Sequence, residues 1–308
     1  MNRKTRLGYA LAAAAFVIVA IPVGVLVNDL LSDRQEEQDL HARMSGSLRR
    51  VAFRSRILKA NKDMLVYLPP GYDDPENAEV RYPAVYLLHG CPGQARDWVV
   101  KGSANVTLEK MILADSVAPM ILVCPDLQGP RGQFDCNGAM DRPDGSWSVE
   151  RYLLDEVVNR VDANYRTKAD AGHRAVAGVS MGGFAAANLA VRHPEVFSVA
   201  CAMSGYFRAA DFTPIARHVL GGRMDLWRAN SPQDTIVTVH DPASLHVLLI
   251  CGAHDQYVRQ NRAFAARLQE LGADSDLRIS TGAHGFAFWS RRLRDCLLFA
   301  DRRFRAHP

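Results

Sequence analysis

Several patterns that carry chemistry are missing from this sequence. The six cysteines include no Cys-x-x-Cys pair, so a metal or thiol-redox site of that type is not predicted. No stripe of interleaved basic and aromatic residues occurs, and the net charge of +4 is small for 308 residues, so nucleic acid is excluded as a predicted partner. Internal repeats are also absent. What is present is a 48% hydrophobic composition, which can bury the core of one α/β domain of roughly 250 residues.

The longest apolar run, residues 7–27, lies at the N-terminus. It has the length of about 20 residues that a helix needs to span a bilayer, and no Ala-x-Ala cleavage pattern follows it. Basic residues precede the run and acidic residues follow it, which places the N-terminus in the cytoplasm. The sequence therefore predicts one transmembrane helix, a single-pass protein of the cell membrane and a domain on the extracytoplasmic side. The alternative is a secreted protein whose signal peptide is cleaved.

The remainder divides into a charged tether and a folded domain. We predict a signal anchor at 1–28, a solvated tether at 29–50 and an α/β domain at 51–308. Within the domain, apolar runs alternate with helix-like stretches, which is typical of a mainly parallel eight-stranded sheet with helices on both faces. The first two strands predict an antiparallel hairpin at one edge. The predicted strands are 51–58, 64–68, 84–88, 120–124, 174–178, 197–203, 246–251 and 277–280, and the predicted helices are 106–116, 149–164, 181–192, 257–271 and 290–304.

The strongest chemical motif is the pentapeptide Gly-Val-Ser-Met-Gly centred on Ser180. It leaves a predicted strand and enters an Ala-rich helix, which is the context of the nucleophile elbow in α/β-hydrolases. The sharp turn places the serine hydroxyl at the carboxyl end of the sheet, where open α/β folds bind ligands. Ser180 is therefore the predicted nucleophile, and the α/β-hydrolase fold is the predicted fold.

A serine nucleophile needs a histidine base, and the α/β-hydrolase fold supplies it after the last strand. His284 lies in a Gly-flanked loop directly after the last predicted strand, so it is the predicted base. The other histidines that follow Ser180 fall at helix ends, in irregular segments, in a terminal tail or at the wrong end of a strand: His193, His218, His240, His246, His254 and His307.

The histidine in turn needs an acid that orients it. Asp255 follows the strand predicted at 246–251, so its carboxylate is expected at the same edge of the sheet as Ser180. Asp274 and Asp276 precede the last predicted strand and would lie at the opposite edge. Asp255 is therefore the predicted acid.

A Gly-rich turn at 88–93 follows an early apolar strand and predicts the oxyanion hole. Such a hole needs two backbone N–H groups, one from the residue after the nucleophile and one from the early turn. Met181 supplies the first. Pro92 has no N–H, so Cys91 supplies the second, and His89 is expected to brace the turn by hydrogen bonding.

With these motifs in place, the sequence resembles the putative esterases, a family that includes esterase D, enterochelin and feruloyl esterases and the mycobacterial mycolyltransferases. The resemblance covers about residues 51–304. It implies a triad of Ser180, Asp255 and His284, oxyanion donors at Cys91 and Met181, and no cofactor or metal. The mycolyltransferase branch uses Glu as its acid, and Asp255 departs from that pattern. The motifs that carry the resemblance lie at 67–72, 82–90, 178–183, 204–207, 252–255 and 284–289.

The predicted function is hydrolysis of carboxylic esters through an acyl-enzyme, with a small-molecule, lipid or glycan ester as substrate. An acyltransferase that uses the same acyl-enzyme is an alternative, and a catalytically silent binding domain is another. The segment 206–245 occupies the place of the lid in this fold and is short, which indicates an open cleft.

Six cysteines in an exported domain permit disulfides, with 15 complete pairings. Cys124 and Cys136 bracket one loop and form the predicted bridge. Cys201 and Cys251 lie within apolar strands and are expected to be small buried residues.

Overall fold

The computed structural model of this protein describes residues 44–213 and 215–307. The segment predicted to span the membrane and most of the predicted tether lie outside this part of the chain. Within it, no helix combines the length and the apolar character needed to cross a bilayer.

Eight strands form one sheet in the order β1-β2-β4-β3-β5-β6-β7-β8. The strands from β3 onward pair in parallel, whereas β2 runs antiparallel to both β1 and β4. The sheet is therefore mixed, with the predicted hairpin at its edge. The strand bounds are β1 Ser47–Arg54, β2 Asn61–Leu68, β3 Ala84–Leu88, β4 Ile121–Pro125, β5 Arg174–Val179, β6 Val199–Met203, β7 His246–Gly252 and β8 Asp274–Ser280.

Helices cover both faces of this sheet. They are α1 Asp97–Val100, α2 Ala104–Leu113, α3 at 149–164, α4 Met181–Arg192, α5 Met224–Ala229, α6 Pro232–Thr235, α7 Val258–Glu270 and α8 Phe286–Ala306. Helix α3 is an α-helix at both ends and a π-helix over Tyr152–Val158.

Successive side chains of a strand point to opposite faces of the sheet, which shows on which face α3, α4, α7 and α8 lie. Ala200 and Ala202 of β6 lie in one apolar core with α3, α4 and α7. Cys201, between them in sequence, points to the other face, where its Sγ lies 3.7 Å from the carbonyl oxygen of Cys296 in α8. Because the central strands are buried on both faces, they are almost entirely apolar, as the sequence predicted.

Several strand boundaries differ from the prediction, most of all those of the two edge strands. Strand β1 begins at Ser47, so residues 47–50 of the predicted tether lie in the sheet, and it ends at Arg54 because the chain turns at 55–60. The carboxylate of Glu156 holds this turn by accepting the N–H groups of Arg56 and Ile57. Strand β8 begins at Asp274, because an edge strand whose side chains are only half-buried tolerates charged residues.

The predicted Cys124–Cys136 bridge is wrong. Cys124 is a buried free thiol in β4, and Cys136 is bonded to Cys91 with their Cα atoms 5.4 Å apart. Cys124 and Cys136 are close in sequence, but the Gly-rich turn after β3 lies against the loop at 129–140. Cys136 is therefore close in space to Cys91 and pairs with it. Cys201 and Cys251 are buried free thiols, as predicted.

Candidate active site

The sharp turn between β5 and α4 places Ser180 at the carboxyl end of the sheet. Ser180 has φ 54° and ψ −115°, a left-handed backbone that a non-glycine residue adopts only under strain. The turn is tight enough that a Cβ on Gly178 would lie 2.2 Å from the carbonyl oxygen of Gly182. The Ser180 N–H donates to the carbonyl oxygen of Met203 at 2.9 Å, which fixes the turn to the end of β6.

The structure brings Ser180, His284 and Asp255 together. His284 Nε2 lies 2.9 Å from Ser180 Oγ. On the other side of the ring, His284 Nδ1 lies 3.0 Å and 3.2 Å from the two carboxylate oxygens of Asp255. Because an ionised carboxylate only accepts hydrogen bonds, Nδ1 carries the proton and Nε2 is free to accept the Ser180 hydroxyl.

Asp255 is buried and is held in its ionised form. Burial by itself raises its pKa, but hydrogen bonds from His284, from the N–H of Tyr257 and from the Ser204 hydroxyl outweigh burial and bring the pKa below its ordinary value. The Tyr257 N–H donates to Asp255 Oδ1 at 2.9 Å. The carboxylate therefore stays charged at neutral pH and can stabilise a protonated imidazole.

The turn after β3 lies beside the serine. A Cβ on Gly90 would lie 3.5 Å from the Cβ of Ser180, so the two turns are in contact. Within the described residues, the N–H groups of Cys91 and Met181 have no hydrogen-bond acceptor. Two unengaged donors next to the nucleophile form the arrangement that an oxyanion hole requires.

His89 braces this turn, as the sequence predicted. Complete burial lowers its pKa, so the ring is neutral. Its Nδ1 lies 2.8 Å from the carbonyl oxygen of Gly90, and its Nε2 accepts the N–H of Leu127 at 3.1 Å. The neutral ring therefore donates at one nitrogen and accepts at the other, which fixes the turn to the loop after β4.

That loop contacts the turn at further points. Cys136 is bonded to Cys91, and the N–H of Gly93 donates to the carbonyl oxygen of Gln133 at 3.1 Å. Gln128 returns a side-chain hydrogen bond to the carbonyl oxygen of Gly93 at 3.0 Å. The predicted oxyanion turn is thus held by a covalent bond as well as by hydrogen bonds.

An apolar cluster adjoins the serine. Met181 and Phe184 from α4 pack with Tyr206, Ile215 and Tyr257, and partly buried Phe212 and Trp227 from the segment at 206–245 pack against them. The Tyr257 ring meets the His284 ring edge-on, with centroids 5.5 Å apart. One side of the site is therefore apolar and aromatic.

Sequence reasoning missed two side chains of the site. The hydroxyl of Ser204, which directly follows β6, contacts Asp255, and Trp289 in α8 donates its indole N–H to Ser204 Oγ at 2.9 Å. Trp289 also meets the His284 ring edge-on at a centroid distance of 4.8 Å. Two signals were available. Ser204 directly follows the strand between those that precede Ser180 and Asp255, and both residues lie in motifs, at 204–207 and 284–289, that carry the family resemblance.

The rejected candidates lie in other places. His193 contacts Glu150 at 2.9 Å, and His246 contacts Asp274 at 2.7 Å at the amino end of β7. Asp276 pairs with Arg278. None of these groups reaches Ser180 in the described part of the chain.

Asp170, His173 and His307 offer ligand atoms within 4.8 Å of one another, a spacing that could hold a metal ion. The group lies before the amino end of β5, at the edge of the sheet opposite Ser180. Lys168 Nζ also lies 3.2 Å from His173 Nε2, and its positive charge opposes a bound cation. The group has no part in the chemistry at Ser180.

Comparison with known proteins identifies relatives of this chain. A bacterial protein described as an endo-1,4-beta-xylanase/feruloyl esterase, from Xylanibacter ruminicola, is 28% identical over 84% of this chain. The chain spans about a third (32%) of that protein's length. Among solved structures, one described as a ferulic acid esterase has a TM-score of 0.74 and 26% identity, covering 85% of this chain and all of that one.

An S-formylglutathione hydrolase from Agrobacterium tumefaciens, 19% identical, has the same fold, with a TM-score of 0.70 over 85% of this chain and 96% of its own. Residues 55–300 match the sequence model of the family described as "Putative esterase". Because that match covers most of the chain, this protein belongs to the Putative esterase family.

Proposed function

We propose that this protein hydrolyses carboxylic esters through a covalent acyl-enzyme formed on Ser180. The observation that carries the proposal is the continuous hydrogen-bonded line from Asp255 through His284 to Ser180 Oγ, with contacts of 3.0 Å and 2.9 Å. A serine hydroxyl is a weak nucleophile until a base takes its proton, and this geometry supplies the base.

In acylation, Ser180 Oγ attacks the ester carbonyl carbon while its proton passes to His284 Nε2. The carbonyl oxygen becomes an oxyanion, which the N–H groups of Cys91 and Met181 stabilise. His284 then gives its proton to the alcohol oxygen, the bond from carbon to that oxygen breaks, and the alcohol leaves. Asp255 holds the ring in the required tautomer and stabilises the transient imidazolium.

In deacylation, water takes the place of the alcohol. His284 accepts a proton from the water as its oxygen attacks the acyl carbon, and the same two N–H groups hold the second oxyanion. The intermediate collapses, the bond to Ser180 Oγ breaks, and His284 returns the proton to the serine. The products are a carboxylic acid, an alcohol and the free enzyme.

The names of the relatives support esters of aromatic acids as first substrates. Two of them are described as feruloyl or ferulic acid esterases. The aromatic cluster of Tyr206, Tyr257 and Phe212 beside the serine suits a planar acyl group. The assay panel therefore pairs a feruloyl ester with aliphatic esters of increasing length.

A fluorophosphonate probe tests the proposal, because it reacts only with an activated serine. We expect one labelled serine in the wild type, no labelling in Ser180→Ala and much slower labelling in His284→Ala. His246→Ala is the matched control, since His246 pairs with Asp274 away from the site, and it should label like the wild type.

Other outcomes would change the conclusion. Acyl transfer to an added alcohol in preference to water would identify an acyltransferase, because only the acceptor of the acyl group differs. A folded wild type that neither reacts with the probe nor cleaves any ester in the panel would identify a silent binding domain.

A further inference from the structure

Ser204 lies between the residues of the catalytic site. It directly follows β6, the strand between the one that precedes Ser180 and the one that precedes Asp255. Its side chain is fully buried, and its backbone has φ 53°, a left-handed conformation that a serine seldom adopts. Its N–H donates to the carbonyl oxygen of Ile250 in β7 at 2.8 Å, which fixes the residue beside the strand of the acid.

The Ser204 hydroxyl accepts one hydrogen bond and has one proton to donate. The indole N–H of Trp289 can only donate, and it lies 2.9 Å from Ser204 Oγ. The Ser204 hydroxyl adjoins two acceptors, the Asp255 carboxylate and the Cys251 thiol. The ionised carboxylate is the stronger acceptor of the two, so we assign the hydroxyl proton of Ser204 to Asp255. The donor chain therefore runs from Trp289 to Ser204 to Asp255.

The same tryptophan also contacts the base. Its ring lies edge-on to His284, with centroids 4.8 Å apart and planes at 84°. One buried side chain, 6% exposed, thus contacts the imidazole with its ring and is linked to the carboxylate through the Ser204 hydroxyl, to which its N–H donates. A residue that contacts the base directly and the acid through one intervening hydroxyl can fix their mutual orientation.

We propose that Trp289 and Ser204 are positioning residues that hold Asp255 and His284 in the reactive arrangement. This inference rests on the proposed ester hydrolysis and extends it to two residues that do not touch the substrate. The donor chain places partial positive charge at Asp255 and stabilises the state in which His284 is neutral and ready to accept the serine proton. Without the chain, the acid–base pair binds a proton more readily.

Two other titratable groups face this network. Burial raises the pKa of the Cys251 thiol to about 12, and Cys251 therefore stays protonated across the working range. Burial also raises the pKa of Tyr257 above its ordinary value, so its phenol stays neutral there. Neither group therefore changes its charge in the pH range over which the acid limb of the activity profile is measured.

The experiment compares Ser204→Ala, Trp289→Phe and the double variant with the wild type. Trp98→Phe is the matched control, because Trp98, like Trp289, is buried and packs edge-on against Phe286. Its indole N–H, in the described part of the chain, has no hydrogen-bond partner. The two tryptophan variants thus make the same change, and only one of them breaks the donor chain.

We expect kcat for an activated short-chain ester to fall about tenfold in each single variant, the loss expected for one hydrogen bond to a charged group, with KM unchanged. The acid limb of the kcat/KM profile should move to higher pH, and the double variant should be no slower than either single variant. Trp98→Phe should keep the wild-type kcat and acid limb.

Two results would overturn the inference while leaving ester hydrolysis intact. One is a Trp289→Phe enzyme whose kcat and acid limb match those of Trp98→Phe. The other is a double variant whose loss is the product of the single losses, which would indicate two independent packing defects. If Trp289→Phe fails to fold, an unmoved acid limb in folded Ser204→Ala overturns the inference by itself. A wild type without esterase activity would overturn the proposed function first.

Discussion

Asp255 is a buried charge whose ionisation depends on three donors, namely His284, Tyr257 and Ser204. Replacing the carboxylate by an amide removes the acceptor that keeps the His284 Nδ1 proton in place. We therefore expect Asp255→Asn to fold and to lose about 10⁴-fold in kcat. Steady-state kinetics with Asp274→Asn alongside checks this, because the side chain of Asp274 pairs with His246 and Arg303 instead. Full activity in Asp255→Asn and none in Asp274→Asn would reverse the assignment.

The depressed pKa of Asp255 also has a consequence for stability. Because its folded pKa lies below its unfolded value of about 3.9, the carboxylate stabilises the fold fully at higher pH. That stabilisation is lost as the pH falls through the folded pKa. Urea unfolding of the wild type and Asp255→Asn should therefore give a larger difference in unfolding free energy at pH 7 than at pH 3. Equal differences at both pH values would contradict the hydrogen-bonded environment described here.

The candidate site residues could be predicted because each follows a strand, and the end of a strand can be recognised in the sequence as the end of an apolar run. Ser204 and Trp289 could not be predicted as parts of the site in the same way. Ser204 looks like an ordinary turn serine, and Trp289 looks like one more apolar residue on the inner face of a helix. Their roles depend on side-chain directions across three elements, which no local pattern contains.

Among the elements of the site, the turn after β3 is held by both a disulfide and hydrogen bonds to a neighbouring loop. Cys91→Pro removes the proposed oxyanion donor and should lower kcat by about 10²–10³-fold. It also breaks the disulfide, so Cys136→Ser is the control that breaks the same bond and keeps the Cys91 N–H. Kinetics should show a much smaller loss in Cys136→Ser. Similar losses in both variants would assign the effect to the disulfide.

The disulfide should act mainly on stability. It closes a loop with a sequence separation of 45 residues, which in the chain-entropy model corresponds to about 4 kcal/mol. We expect Cys136→Ser to lower the unfolding free energy by an amount of that order, measured by urea titration. A reduced wild type should match the variant. Equal stability of the oxidised and reduced wild type would contradict this expectation.

The presence of each strand and helix was easier to predict from the sequence than the residues at which it begins and ends. The central strands are flanked by helices on both faces, so their residues are almost all apolar and the bounds of β3 and β5 were close to the prediction. The edge strands β1 and β8 carry charged residues on exposed faces, and apolar runs therefore understated them. The disulfide could not be predicted from the sequence, because its two cysteines lie in a turn and a loop that follow different strands and meet only in the folded structure.

For the whole molecule, the apolar run at 7–27 predicts a membrane anchor that lies outside the described residues. The full-length protein should remain with membranes after a high-salt wash, and protease should reach the catalytic domain only from outside the cell. Fractionation followed by immunoblotting measures both. A full-length protein found in the cytoplasmic soluble fraction would contradict the prediction.

The order of strands in the sheet has one more consequence. Ser180, Ser204, Asp255 and His284 follow four successive neighbours, β5 to β8, so the sheet itself sets their spacing at about 4.8 Å per strand. The long segment at 206–245 connects β6 to β7, and it does not determine that spacing. Natural variation or an engineered exchange of this connection could therefore give the same reactive centre a new range of substrates, and the centre would not have to be rebuilt.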